Sequence, residues 1–321
     1  MSLKVSRIVA VHGCKGGVGK STVAAGIALA LKEQGCSVGL CDLDICGPNI
    51  ASLLGVEESH VKWIQVDLDD STIEYDEREA TASEACCSNS TTCCKEGSSC
   101  CSDPFTDVAL NGGIPTTVSL LQPKVIHGIR VMSFAFIKSK TELGYAAFRG
   151  PMLDQISSEL VLKTHWGQLD YLILDLPPGT SDVIISLIEE IPICGLVAVS
   201  TPHHMSVKDT VRGIRFFEDN QIKLVCLVEN MSYFICDGCD KLHYLFGQSL
   251  SETMTELFGI EEAVRLPMMK FQGHFADYLM SNADILEKFN NIANIIMNSQ
   301  ITALSSANTN NRYSILIYNN I

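Results

Sequence analysis

Residues 14–22 read CKGGVGKST and follow directly on the apolar run Ile8–Val11, so a short strand runs into a glycine-rich turn and then into the helix-forming stretch Val23–Lys32. That order predicts a site for a nucleoside triphosphate. Glycines at 16, 17 and 19 let backbone N–H groups close around phosphate oxygens without Cβ clashes. A helix beginning near Lys20 turns the positive end of its dipole toward the anion. The candidate binding residues are therefore Cys14, Lys15, Gly16, Gly17, Val18, Gly19, Lys20, Ser21 and Thr22. Lys20 is expected on the β- and γ-phosphates, and the Ser21 hydroxyl on Mg²⁺. The loop departs from the general pattern at its first position, where Cys14 stands in place of glycine.

Working outward, strand-like runs recur at Ile8–Val11, Val38–Asp42, Arg130–Ser133, Tyr171–Asp175, Leu196–Ser200 and Leu224–Val228, with helix-like segments between most of them. This alternation predicts an α/β fold, a doubly wound and mostly parallel sheet forming a single domain over residues 1–299. Continuous apolar strands such as YLIL at 171–174 suit burial on both faces. Ligands of such sheets bind at the carboxyl ends of the strands, where the remaining motifs also fall. VGLCDLDICGP at 38–48 ends a strand in Asp42 and Asp44, spaced to leave it on one face. Asp44 is the candidate for positioning the attacking water, and Asp42 for a structural role. DLPPGTSD at 175–182 supplies Asp175 for the Mg²⁺ shell, and Gly179 as a backbone N–H near the γ-phosphate.

The chain has 321 residues, 46% of them hydrophobic, which is ample for a large core. The apolar stretch near 183–199 is broken by Glu189, Glu190 and Pro192, short of the ~20 residues a membrane span needs. A net charge of −14 disfavours nucleic acid and anionic membranes as partners. The start, MSLKVSRIVAVHG, enters the first strand at once and suggests no targeting segment, so a cytoplasmic protein is expected. Fourteen cysteines in that compartment point to metal or redox chemistry before disulfides.

KGGVGKS, DLDICGP, Arg149-Gly150-Pro151-Met152, DLPPGTSD and VENMSYFICDGC at 228–239 together resemble the deviant P-loop ATPases of the MinD/ParA and nitrogenase iron-protein group. Within that group the chain looks most like the Mrp/ApbC iron–sulfur cluster carriers. The resemblance implies a P-loop NTPase fold, ATP and Mg²⁺ as ligands, and ATP shared between two subunits. It implies that Lys15 reaches the partner's phosphates and that Asn230 contacts adenine; the plainer reading of Asn230 is a strand-end turn residue. It also implies delivery of a cluster to apo iron–sulfur proteins. The four-cysteine N-terminal extension of some eukaryotic members is not matched, so the shorter type of carrier is implied, as a homodimer or in a heteromer with a longer related carrier.

Cys236 and Cys239 form a CxxC with Gly238 in its turn, letting two thiolates face one centre. A tetrahedral S₄ site or a [4Fe–4S] cluster needs four, so one chain offers half a site. The resemblance implies a cluster bridging two chains. A dimeric zinc site, a redox dithiol and a structural pair are the competing readings. A partitioning ATPase with a structural zinc CxxC is the alternative function, but residues 300–321 carry a single Arg312 and no lysine for membrane or DNA binding. A nitrogenase-like reductase would draw its thiols from separate loops.

Residues 57–115 read as an inserted acidic, Cys-rich loop region containing vicinal cysteines at 86/87, 93/94 and 100/101, a spacing of seven each time. They can collect metal, or represent low-complexity expansion. Residues 300–321 read as a flexible tail. His203 and His204 read as loop residues, and Cys194 and Cys226 as small hydrophobes within strands. Leu286, Phe289, Ala293 and Ile296 fall at helical spacing and are expected to pack on the sheet.

Overall fold

The computed structural model describes residues 4–56, 60–67, 73–79, 117–137, 150–180, 182–247, 249, 251–260, 263–299 and 301. The chain order begins β1 (Val5–His12), α1 (Lys20–Glu33), β2 (Val38–Asp42), α2 (Ile50–Leu53), β3 (Lys62–Asp67), β4 (Ile73–Glu79), β5 (Thr117–Leu121), β6 (Lys124–Ile126) and β7 (Ile129–Ser133). It continues with α3 (Gly150–Leu162), β8 (Leu169–Asp175), α4 (Asp182–Glu190), β9 (Gly195–Ser200), α5 (His204–Asp219), β10 (Leu224–Ile235) and β11 (Leu242–His243). Last come α6 (Ser251–Phe258), β12 (Ala263–Pro267), α7 (Phe275–Ser281) and α8 (Ala283–Asn298).

Among the described residues nine strands form one sheet in the order β11-β10-β9-β1-β8-β2-β7-β6, with β12 also on β10. The inner pairings are all parallel, and only β6 and β11 run antiparallel. Parallel strands need helical crossovers on both faces, which is why β2 and β9 are buried throughout and β1 and β8 are buried from Ile8 and Tyr171 onward. Register then builds the site edge. Val11 pairs with Asp175, and Asp175 with Asp42, so the loop leaving β1 emerges beside two aspartates that end neighbouring strands.

Helix α1 is buried at every position from Val23 to Leu31, because it lies between the sheet and α8. Its Gly26 makes the close approach possible: a Cβ there would collide with the Phe289 ring. Phe289, Ala293 and Ile296 are fully buried on α8. That helix therefore packs on α1 as well as on the sheet, and truncating Phe289 would cost about 3–5 kcal/mol.

Several elements differ from the sequence reading. Strand β10 continues seven residues past Val228, through Met231 in a left-handed conformation (φ 54°), before reaching the cysteines. Within the 57–115 segment expected as loop, β3 and β4 join β5 in a small antiparallel sheet; residues 80–115, with the six vicinal cysteines, lie outside the described residues. Of the expected tail, Ile301 packs into the core and residues 302–321 lie outside the description. Cys194 precedes β9 rather than lying in it. His203 caps α5 by accepting the Met205 N–H at 3.3 Å, and His204 begins that helix.

Candidate functional site

The glycine loop wraps from β1 into α1, and Gly17 and Gly19 adopt left-handed φ of 79° and 88° that β-carbon residues resist. Gly19 is constrained twice over, since a Cβ there would also strike the Asn230 amide. It occupies the N-cap of α1 and, as glycine, brings no side chain to cap that helix. The first-turn N–H groups are therefore left facing the cleft, as an anion site requires. That cleft holds about 360 Å³ and is walled by Gly16, Lys20, Ser21, Asp44, Pro178 and Phe271. Lys20 is buried, only 7% exposed.

Three carboxylates line the strand ends in graded environments. Asp42 is sealed, and accepts hydrogen bonds from the N–H of Asp44 (3.2 Å), the N–H of Ile50 (3.2 Å) and the Ser133 hydroxyl (3.2 Å). These bonds fold the chain back at the end of β2. Asp44 consequently lies beyond the strand, not on its shared face, and lines the cleft half-buried. Burial and the neighbouring Asp175 charge push the Asp42 carboxyl well up. Burial also raises Asp44, opposed by Lys20. Asp175 is fully buried, and neither of its oxygens has a hydrogen-bond partner among the described residues. Desolvation raises its pKa to about 6, opposed by the Lys20 charge and by the Ser21 hydroxyl, which stands nearby outside hydrogen-bond geometry.

Asn230 is 2% exposed and donates from Nδ2 to the Val18 carbonyl at 2.8 Å, clamping β10 to the glycine loop. Its Oδ1 has no partner among the described residues. Lys15 projects the other way and forms an ion pair with Asp209 of α5 at 3.3 Å. Arg212 also reaches Asp209, at 3.6 Å. Cys14 fills the space above Gly213 of α5 and touches His12 Nε2 at 3.5 Å. Burial pushes the Cys14 thiol up to about 11 and His12 down to about 3, so both are neutral packing groups. No motif in the sequence linked His12, Cys14 and Gly213.

The CxxC occupies the tip of the hairpin between β10 and β11. Cys236 N–H bonds Lys241 O at 3.0 Å, Asp240 N–H bonds Cys236 O at 2.9 Å, and Asp240 turns through φ 55°. The N–H of Gly238, followed by the thiol and N–H of Cys239, draws the Cys236 thiol below the ordinary cysteine range. Ile235, Leu242 and Leu245 are 46%, 52% and 60% exposed, giving the thiols an apolar rim. Sequence reading missed His243: its ring nitrogen and both thiol sulfurs lie within 4.8 Å of one another. A larger cleft of about 1210 Å³ runs beside the hairpin toward α8. Arg149 and Ser181 lie outside the described residues.

The family described as ParA, NUBPL iron-transfer P-loop NTPase, matches residues 4–74 and 109–297. An iron–sulfur cluster carrier protein of Pseudomonas fragi is 32% identical over 264 residues, covering 82% of this chain and 74% of its own length. An iron–sulfur cluster transfer protein, NUBPL, of Dictyostelium discoideum is 34% identical over 256 residues, 80% of this chain and 63% of its own. Against a chloroplastic assembly factor, HCF101, of rice the chain spans 39% of the relative's length. Among solved structures, a nucleotide-binding protein of Archaeoglobus fulgidus in complex with ADP and containing cobalt superposes with a TM-score of 0.58 at 25% identity, over 92% of this chain and 90% of that one. The septum site-determining protein MinD of Pyrococcus horikoshii, with Mg-ADP, gives 0.55 at 16% identity over 91% and 96%, a likeness of fold alone. With glycine loop, strand-end aspartates and cysteine hairpin in one α/β sheet, and a match running through nearly all of it, the chain belongs to the NUBPL-type iron-transfer P-loop NTPase family.

Proposed function

We propose that the chain is a slow, Mg²⁺-dependent ATPase whose cargo is an iron–sulfur cluster, held as [4Fe–4S] between the Cys236–Cys239 pairs of two chains and passed to apo-proteins. One observation carries the reading: a member of an iron-transfer family presents two converging thiols at an exposed, apolar-rimmed hairpin tip. The naming of the Pseudomonas and Dictyostelium relatives as cluster carrier and transfer proteins supports it. So does the cleft at the strand ends, of a size suited to a nucleotide.

The donor set fits Mg²⁺: the two oxygens of Asp175, buried and without a hydrogen-bond partner among the described residues, stand near the Ser21 hydroxyl. When bound, that ion would neutralise phosphate charge and add positive charge beside Asp175, to which Lys20 already contributes. Lys20 and the uncapped first turn of α1 bind the phosphates and hold them against water. Asp44, on the cleft wall, orients the attacking water. Lys15, released from Asp209, reaches the phosphates of the partner subunit, while Asn230 contacts the adenine. Two thiolates per chain make a lone chain an incomplete holder of a cluster, so pairing, as homodimer or with a longer related carrier, controls loading and release. The reading places this work in the cytoplasm, where thiols stay reduced.

Anaerobic reconstitution with iron and sulfide tests it. Wild type should gain a cluster, four irons per two chains, and the Cys236→Ser/Cys239→Ser variant should not. A full cluster retained by that variant would move the site to the 86–101 cysteines and overturn the assignment.

A further inference from the structure

The hairpin carries one donor more than a bridged cluster uses. Cys236, Cys239 and His243 converge within 4.8 Å, whereas two chains meeting at this tip already supply the four thiolates a [4Fe–4S] cluster takes. The third donor is placed by strand pairing. His243 sits opposite Phe234 and Leu242 opposite Ile235 in the β10–β11 ladder, so the ladder holds the imidazole beside the cysteine turn. Two further contacts hold the tip in place: Lys270 Nζ to Asp237 Oδ2 at 2.6 Å, and the Arg265 guanidinium over the Tyr244 ring at 5.9 Å. All three donors belong to one chain, and Cys239 and His243 are exposed.

We propose that Cys236, Cys239 and His243 of a single chain form a mononuclear site for a thiophilic divalent ion of the zinc class, with the fourth coordination position left to water or an incoming thiolate. Two thiolates and one imidazole match the ligand preference of Zn²⁺ and of its spectroscopic surrogate Co²⁺. Tetrahedral bonds of about 2.0–2.3 Å put donor atoms about 3.3–3.8 Å apart, so rotation of exposed side chains closes the remaining gap. Such an ion occupies both thiols that a bridged cluster requires. The site therefore gives the chain a one-subunit metal state that competes with the two-subunit cluster state. This inference rests on reading the CxxC as metal ligands.

The test is Co²⁺ titration, under anaerobic conditions, of the full chain with the six cysteines at 86, 87, 93, 94, 100 and 101 replaced by serine, at concentrations where sedimentation shows a monomer. One Co²⁺ per chain with an intense tetrahedral visible band is expected. His243→Gln should weaken binding by at least about 10–100-fold, the loss that even an outer-shell substitution produces, and should diminish the tetrahedral band. Circular dichroism checks that the fold is kept. Unchanged affinity and spectrum in His243→Gln overturn the third ligand while leaving the cysteine reading intact. Binding that survives Cys236→Ser/Cys239→Ser overturns the cysteine reading, and this inference with it. Half an ion per chain, insensitive to His243, also overturns it, because the metal then needs two chains.

Discussion

Replacing Asp175 by asparagine should stabilise the nucleotide-free protein near neutral pH and abolish its response to Mg²⁺-nucleotide. The carboxyl is sealed at the end of β8 with no hydrogen-bond partner among the described residues, and burial, only partly offset by the Lys20 charge and the nearby Ser21 hydroxyl, raises its pKa from 3.8 to about 6. The unfolded chain therefore ionises first. Between about pH 4 and pH 6 the folded state binds more protons, so stability falls as pH rises, and above pH 6 the whole penalty remains. A shift of this size corresponds to about 3 kcal/mol. An unsatisfied asparagine amide returns about 1 kcal/mol of it, leaving a net gain of about 2 kcal/mol for Asp175→Asn. Asp42, paired in register with Asp175, loses a like charge in the variant and moves the balance further in the same direction. Urea denaturation of both proteins across this pH range measures the difference directly. The variant should be less stable by about 1 kcal/mol below about pH 4, the curves should cross between about pH 4 and pH 5 and separate toward neutrality, and at neutral pH saturating Mg²⁺-ATP should reverse the order, because only wild type gains stability from it. A variant that is less stable at pH 7.5, or a difference that ignores pH, would refute the claim that burial of Asp175 is only partly compensated.

Two other outcomes follow from contacts around the glycine loop. Gly213→Ala would normally help a helix, but its methyl would overlap Cys14 Sγ. It should destabilise the fold by about 1–3 kcal/mol, with most of the loss recovered in the Cys14→Gly background; equal losses in both backgrounds would show that the sulfur is not the obstacle. Lys15→Ala should change stability by less than about 1 kcal/mol, since the ion pair with Asp209 is partly exposed. Its ATP turnover should fall by about 10³-fold or more if the lysine acts across subunits, and undiminished turnover would remove that role.

The local chemistry was legible because it is written over short spans. A strand, a glycine loop and a helix start fit within 15 residues, from Ile8 to Thr22, and the apolar runs at 38–42 and 171–175 announce buried parallel strands by composition alone. The CxxC, likewise, declares a pair of thiols without any fold. Periodicity does not carry strand order or register, which depend on which distant segments pair. Only the tertiary structure set Asp175 between Val11 and Asp42, and turned Asp44 off the strand into the cleft. The same limit hid Lys15 on Asp209 and Cys14 over Gly213, contacts that join residues about 200 positions apart. His243 is the sharpest case. Four residues after Cys239 it matches no spacing rule used in reading the chain, and it becomes a candidate ligand only because a two-residue strand folds back on β10. Sequence alone determined which functional groups the chain carries; pairing of the backbone across the sheet decided which of them meet.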